Sequence, residues 1–143
     1  VPVRPVSLRR RPPRDPRARL AGLMMLPRTI DKARGLMHGG DPGEYTISPG
    51  LSAWLLAELG FTEAEFIELV HRAADEDEVA AVVALRVPPE GRETLNSFLK
   101  ALRVADLSPD HRDRFVRLHG AQDDELVIDV LVADDRCVLR STG

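Results

Sequence analysis

A chain of 143 residues that is 43% hydrophobic and 30% charged is long enough for one domain with a buried core and too apolar to be disordered. None of its apolar runs approaches the roughly 20 residues that span a bilayer, and its single cysteine, Cys137, rules out an intrachain disulfide or a cysteine-rich zinc site. Net charge is −3, but residues 1–20 hold seven arginines against Asp15, a net of +6, which leaves −9 on the other 123 residues.

Residues 1–14 read as a flexible basic arm ahead of a single helical domain over 15–143. Five prolines in the first twenty residues favour extended chain. The acidic body is the arm's nearest counter-charge, so a solubilising or self-docking tail is preferred to a nucleic-acid or partner arm. The arm has no aromatic side chain to stack on bases, and the acidic body would repel phosphates, so nucleic acid ranks last as a partner. No apolar segment follows the basic start, which predicts no secretory signal. A cytoplasmic location without membrane attachment is expected.

Asp15-Pro16 predicts a short helical turn through Leu20, with the aspartate as cap and proline in the first position. Pro27 opens the next helix, where Ile30, Ala33, Leu36 and Met37 recur at spacings of three and four until Gly39-Gly40. On that wheel Arg28, Asp31 and Lys32 point away from the apolar stripe and Arg34 lies at its edge, so a solvated charged face is expected. The connector "GGDPGEYTISPG" has glycines but lacks the lysine-hydroxyl ending of a phosphate loop. Ser48-Pro49 is expected to cap a helix carrying Leu51, Trp54, Leu55 and Leu59 inward, stopped by Gly60.

Thr62-Glu63-Ala64-Glu65 spells a capping box, with Phe61 and Phe66 at hydrophobic-staple positions. "DEDE" at 75–78 opens a helix through "VAAVVAL" at its acid-favouring end. Pro88-Pro89 break it, and Leu95, Phe98, Leu99 and Leu102 mark the following one. Ser108-Pro109 caps a sixth helix, with Phe115 and Leu118 inward. In "LVIDVLVADDRCVLR" β-branched residues flank Asp134-Asp135, so residues 125–140 read as a β-hairpin with a short helix as the alternative. The expected fold is mainly α, a compact bundle of about six helices with a small C-terminal hairpin.

Chemistry-bearing patterns are sparse. His38, His71, His111 and His119 come from separate segments apart from the last pair. Glu68-x-x-His71 has the spacing of half a carboxylate-bridged di-metal site but has no second copy. No metal and no cofactor are expected. Cys137 reads as a small core residue, and no serine stands in a nucleophile elbow. What remains is the basic helix and its connector: Arg28, Asp31, Lys32, Arg34, Glu44 and Tyr45. Arginines form charge-assisted forks with carboxylates and phosphates, so this set is the candidate ligand site. Pairing of Asp31 with Arg28 or Arg34 is the competing structural explanation.

"PRDPRARLAGLMMLPRTIDKARGLMHGGDPGEY" resembles the opening signature of an uncharacterised bacterial family, domain of unknown function number 5069. The parts in order are "LPRTIDKAR", "GEY", "GLSAWLLAELGFTEAEF" and "DEDEV". The similarity covers about Pro13 to Val83 well and continues loosely to His119. The resemblance implies no activity. This chain departs from it in three places: Ser48 beside Pro49 where the family has a cysteine and a proline, Ala21 in place of a motif glycine, and an ending unlike the family's aromatic-containing tail.

These readings favour a binding or protein-interaction module with its site on the basic helix and the G-E-Y connector. The alternative is an enzyme for a small anionic substrate, a phosphate or carboxylate. In it Arg28 and Arg34 would hold the anion, Glu44 or Asp31 would act as base and Tyr45 as acid. The expected partner is another protein or a small anion. The sequence names no catalytic residue and no oligomeric state.

Overall fold

In a computed structural model that describes residues 3–141, the first regular structure is a hairpin, β1 (Arg19–Leu20) and β2 (Leu23–Met24), paired antiparallel. Seven helices follow among the described residues: α1 (Leu26–Leu36), α2 (Leu51–Leu59), α3 (Glu63–Arg72), α4 (Glu76–Ala84), α5 (Pro89–Ala101), α6 (Pro109–His119) and α7 (Val127–Ser141). A single 3-10 turn at Val104–Asp106 separates α5 from α6. The mainly helical expectation therefore holds, but the hairpin lies near the N-terminus and the C-terminal segment is helix.

Each correction has a local cause. Asp15 does cap, but it makes a turn: its carboxylate accepts from the Arg17 N–H at 2.7 Å, and the chain then reverses through Ala21 and Gly22, at φ 53° and 72°. Two consecutive positive φ values define the tight turn whose twist suits a hairpin. Glycine accepts that conformation freely, whereas Ala21 bears a steric cost of about 1 kcal/mol. Asn96, fully buried on α5, pins the hairpin by accepting from Met24 N–H and donating to the Gly22 carbonyl, both at 2.9 Å.

At the other end, Val127, Ile128, Val130 and Asp135 are buried. Burial at positions three, seven and eight residues apart is a helical stripe, and packing it against the body overrides the β preference of its valines. Asp134-Asp135 are a continuation of that helix, not a turn.

The main core runs from the hairpin through α1 to α5 and takes in Ile128 of α7; Leu26, Ile30, Leu55, Phe66, Val79, Val83 and Leu99 are among its fully buried side chains. A smaller cluster of Leu102, Val104, Ala121, Val127 and Val130 lies where the 3-10 turn meets α7. α1 packs against α2, α3 and β1. The capping box forms with both bonds at 3.1 Å, and the Phe61 and Phe66 rings meet edge to face at 5.7 Å. Other expected details differ. Gly50, not Ser48-Pro49, caps α2, and Trp54 is half-buried, stacked on Phe98 at 4.8 Å. In α4 only Val79 and Val83 are fully buried, and Leu118 of α6 points outward.

Residues 6–8 run beside the connector. Leu8 N–H donates to the Asp41 carbonyl at 2.7 Å, Asp41 N–H to the Val6 carbonyl at 3.0 Å, and the Leu8 side chain is buried. Gly35 permits this approach, since a Cβ there would lie 3.1 Å from Pro42 Cα and 3.2 Å from the Leu8 side chain.

Candidate functional site

Pro27 starts α1 where its missing N–H costs nothing, and Met25, left-handed at φ 73°, turns the chain from the hairpin into the helix. Eight of the eleven residues in α1 are buried, Arg28 and Asp31 among them. The solvated charged face expected from the helical wheel is therefore absent. The amino-terminal segment and α7 cover it, and they bring the counter-charges.

Arg28 is 2% exposed and donates a fork to Asp135 of α7, Nη1 to Oδ2 at 2.7 Å and Nη2 to Oδ1 at 3.0 Å. Its Nη1 also donates to the Arg14 carbonyl at 3.3 Å. Tyr45 completes the group: its hydroxyl donates to Asp135 Oδ1 at 2.9 Å, and the Arg28 guanidinium lies 5.6 Å from its ring centre. Burial, reinforced by the Asp135 charge, pushes the phenol well above its ordinary range. Tyr45 consequently holds its proton and serves Asp135 as a fixed donor.

Asp31 and Arg34 belong to a second group. Arg14 donates to Asp31 through its backbone N–H at 2.8 Å, Nε at 3.1 Å and Nη2 at 3.0 Å, and also pairs with Glu76 at the start of α4. Arg34 reaches Asp31 at 3.3 Å and donates Nε to the Arg4 carbonyl at 2.7 Å. The expected pairing of Asp31 with Arg34 exists, with Arg14 as the stronger partner.

Lys32 stands apart from both. Its ammonium donates to Ser52 Oγ of α2 at 3.3 Å, Ser52 lies 3.0 Å from Thr29 Oγ1, and Thr29 donates to the Met25 carbonyl at 2.8 Å. Burial first, then repulsion by Arg28, lowers the Lys32 amine to about 7, against an opposing pull from Asp135.

Glu44 is exposed and lies on the rim of a cleft of about 300 Å³ lined by Leu8, Arg9, Gly43, Glu44, Tyr45 and Val138. Arg9 there pairs with Asp41 at 2.9 Å while remaining largely exposed. The six candidate residues thus divide four ways: Arg28 and Tyr45 on Asp135, Asp31 with Arg34 on Arg14, Lys32 on Ser52, and Glu44 outside. Tyr45 joins the first to the cleft, with its body in the wall and its hydroxyl on Asp135.

The histidines do not converge. His38, His71 and His111 are exposed, and His119 lies 3.3 Å from Asp134 and against the Phe115 ring. Among the described residues no three His, Cys, Asp or Glu side chains gather as metal ligands do. Cys137 is exposed and not in the core.

Residues 10–133 match the family model described as Domain of unknown function (DUF5069). The chain belongs to this family. No curated protein matches it. Arg14, Asp31, Lys32, Ser52 and Glu76 fall inside the matched span, whereas Asp135, which neutralises Arg28, lies two residues beyond its end.

Sequence reasoning missed Asp135, Arg14 and Ser52. Arg14 did carry a signal, since Pro13-Arg14 opens the motif that also contains Asp31. Asp135 carried one only in a helical reading, which aligns Leu131, Asp135 and Val138 at spacings of four and three on one face.

Proposed function

We propose that this chain is a binding module whose site is the cleft beside the G-E-Y connector. We further propose that it accepts a group with an apolar body and a cationic end, such as a basic side chain of a partner protein. The observation that carries this reading is Glu44, an exposed carboxylate with no ion pair among the described residues, on a cleft also lined by Leu8, Val138, the Tyr45 ring and Arg9, whose charge is answered by Asp41. The Leu8 and Val138 side chains and the Tyr45 ring offer contact to an apolar body, and the Glu44 carboxylate supplies orientation. Tyr45 is held by Asp135 and Gly43 by its Asp41-capped turn, so the wall is organised before a ligand arrives.

Less supports an enzyme for an anionic substrate. The charges of Arg28 and Arg34 are answered by Asp135 and Asp31. Tyr45, with its proton held tightly, is a poor acid near neutral pH. Ser52, although hydrogen-bonded to a lysine, is fully buried and out of a substrate's reach.

The test is an amide NMR titration with n-butylamine, with n-butyrate as the control of opposite charge. Saturable shifts at Gly43, Glu44, Tyr45 and Val138 are expected with the amine, weakened several-fold by Glu44→Gln. Equal or stronger binding of butyrate, or no saturable shift with either compound, would overturn the reading.

A further inference from the structure

One positive charge in the covered face of α1 has no carboxylate partner. Arg28 is matched by Asp135, and the set of Arg14, Arg34, Asp31 and Glu76 balances itself. Among the described residues the Lys32 ammonium has only the Ser52 hydroxyl as a hydrogen-bond partner. That hydroxyl cannot relieve the charge further. Thr29 spends its proton on the Met25 carbonyl, so the Ser52 proton points to Thr29 Oγ1 and Lys32 donates to Ser52.

A second, independent observation sits one helical turn earlier. Arg28 Nη1 and Nη2 are both engaged, but its Nε–H is buried and has no acceptor among the described residues. Such an orphan donor is costly in a native interior and calls for a partner. Residues four apart on a helix are neighbours on one face. The unmatched charge of Lys32 and the unmatched donor of Arg28 therefore ask for the same thing, an acceptor carrying one negative charge.

We propose that a small monovalent oxyanion, of the carboxylate or bicarbonate class, binds between the Arg28 Nε–H and the Lys32 ammonium. The anion accepts from both donors and brings the local charge of Arg28, Asp135 and Lys32 to neutrality. This site is distinct from the cleft at Glu44, which neither Arg28 nor Lys32 lines.

Binding is coupled to a proton. The groups facing Lys32 are Arg28 from its own helix, Asp135 from α7 and the non-titrating Ser52 from α2. In the empty site the amine loses its proton as pH rises through about 7, whereas the bound anion requires the ammonium. Affinity is therefore greatest below that pH and falls about tenfold per unit above it.

The experiment follows the Arg28 side-chain Nε–Hε signal in ¹⁵N-labelled protein titrated with sodium formate, with sodium chloride at matched ionic strength as control. A saturable shift is expected at about pH 6 and one weaker by about thirtyfold at about pH 8.5. Lys32→Met, apolar and of similar length, should keep the fold by its amide spectrum and lose the shift; Lys32→Gln repeats the comparison with a polar side chain. No saturable shift in the wild type, a shift equal in the Lys32 variants, a pH-independent affinity, or an equal response to chloride would each overturn the site. None of these outcomes bears on the amine titration at Gly43 and Glu44, so the two proposals fail separately.

Discussion

Two helices of this chain carry proline in their first turn and similar densities of charge, yet they end in opposite environments. α1, "LPRTIDKARGL", has eight of its eleven residues buried, and α6, "PDHRDRFVRLH", has none. Charge alone does not decide the outcome, because both helices form ion pairs. Arg112 of α6 holds Asp123 at 2.6 and 2.7 Å, a fork as short as that of Arg28 on Asp135. The difference lies in where the partners come from. Asp123 is eleven residues from Arg112 in an exposed loop, whereas Arg14 and Asp135 reach α1 from segments near the two ends of the chain. Covering α1 with those segments removes water from the ion pairs, so each charge there depends on its partner. On α6 water remains the alternative partner.

The sharpest break in this comparison is Asp135→Ala. It strands the Arg28 guanidinium in the interior and removes the acceptor of Tyr45, at an expected cost of about 3–5 kcal/mol in denaturant melts. The paired change Arg28→Met with Asp135→Leu should recover most of that loss, because it removes both charges together. A single variant no less stable than wild type would mean that water reaches this pair, and α1 would then resemble α6.

Leu8→Ala is the intermediate case and measures how firmly the first segment covers α1. The side chain is 3% exposed, so its loss should cost about 2–3 kcal/mol if residues 6–8 are held as described. A melt indistinguishable from wild type would support the flexible arm expected from composition. The smallest effect belongs to α6. Arg112→Ala should change stability by less than about 1 kcal/mol despite its ideal fork, because both partners stay wet. A loss as large as that from Asp135→Ala would show that exposure does not separate the two helices.

Local signals carried well in the sequence wherever the competing state was solvent. The capping box at Thr62, its flanking phenylalanines, the acidic start of α4 and the start of α1 at Pro27 are all set by neighbours within five residues and appear as read, whereas α1 ends at Leu36, ahead of Gly39-Gly40. Charge placement carried badly. A helical wheel assigns Arg28 and Asp31 to water because it sees no partner within the helix, and the partners lie 107 and 17 residues away. The site was legible in part for the same reason. Four of the six candidate residues lie on α1 and two on its connector, but the sequence offered no means of dividing them into a buried ion pair, a latch on Arg14, a lysine on Ser52 and an exposed carboxylate.

The C-terminal segment shows the limit most plainly. β-branched residues and a pair of aspartates support hairpin and helix about equally when only local preference is counted. By itself, then, the sequence determined a mainly helical chain, most of its helix boundaries and the charge-rich motif that places it in its family. Tertiary structure alone decided that residues 127–141 are helical, that this helix delivers Asp135 to Arg28, and that the charged side of α1 faces inward. Those outcomes depend on apolar area and counter-charge supplied from distant parts of the chain, and an interaction between residues a hundred positions apart leaves no periodic trace in either segment.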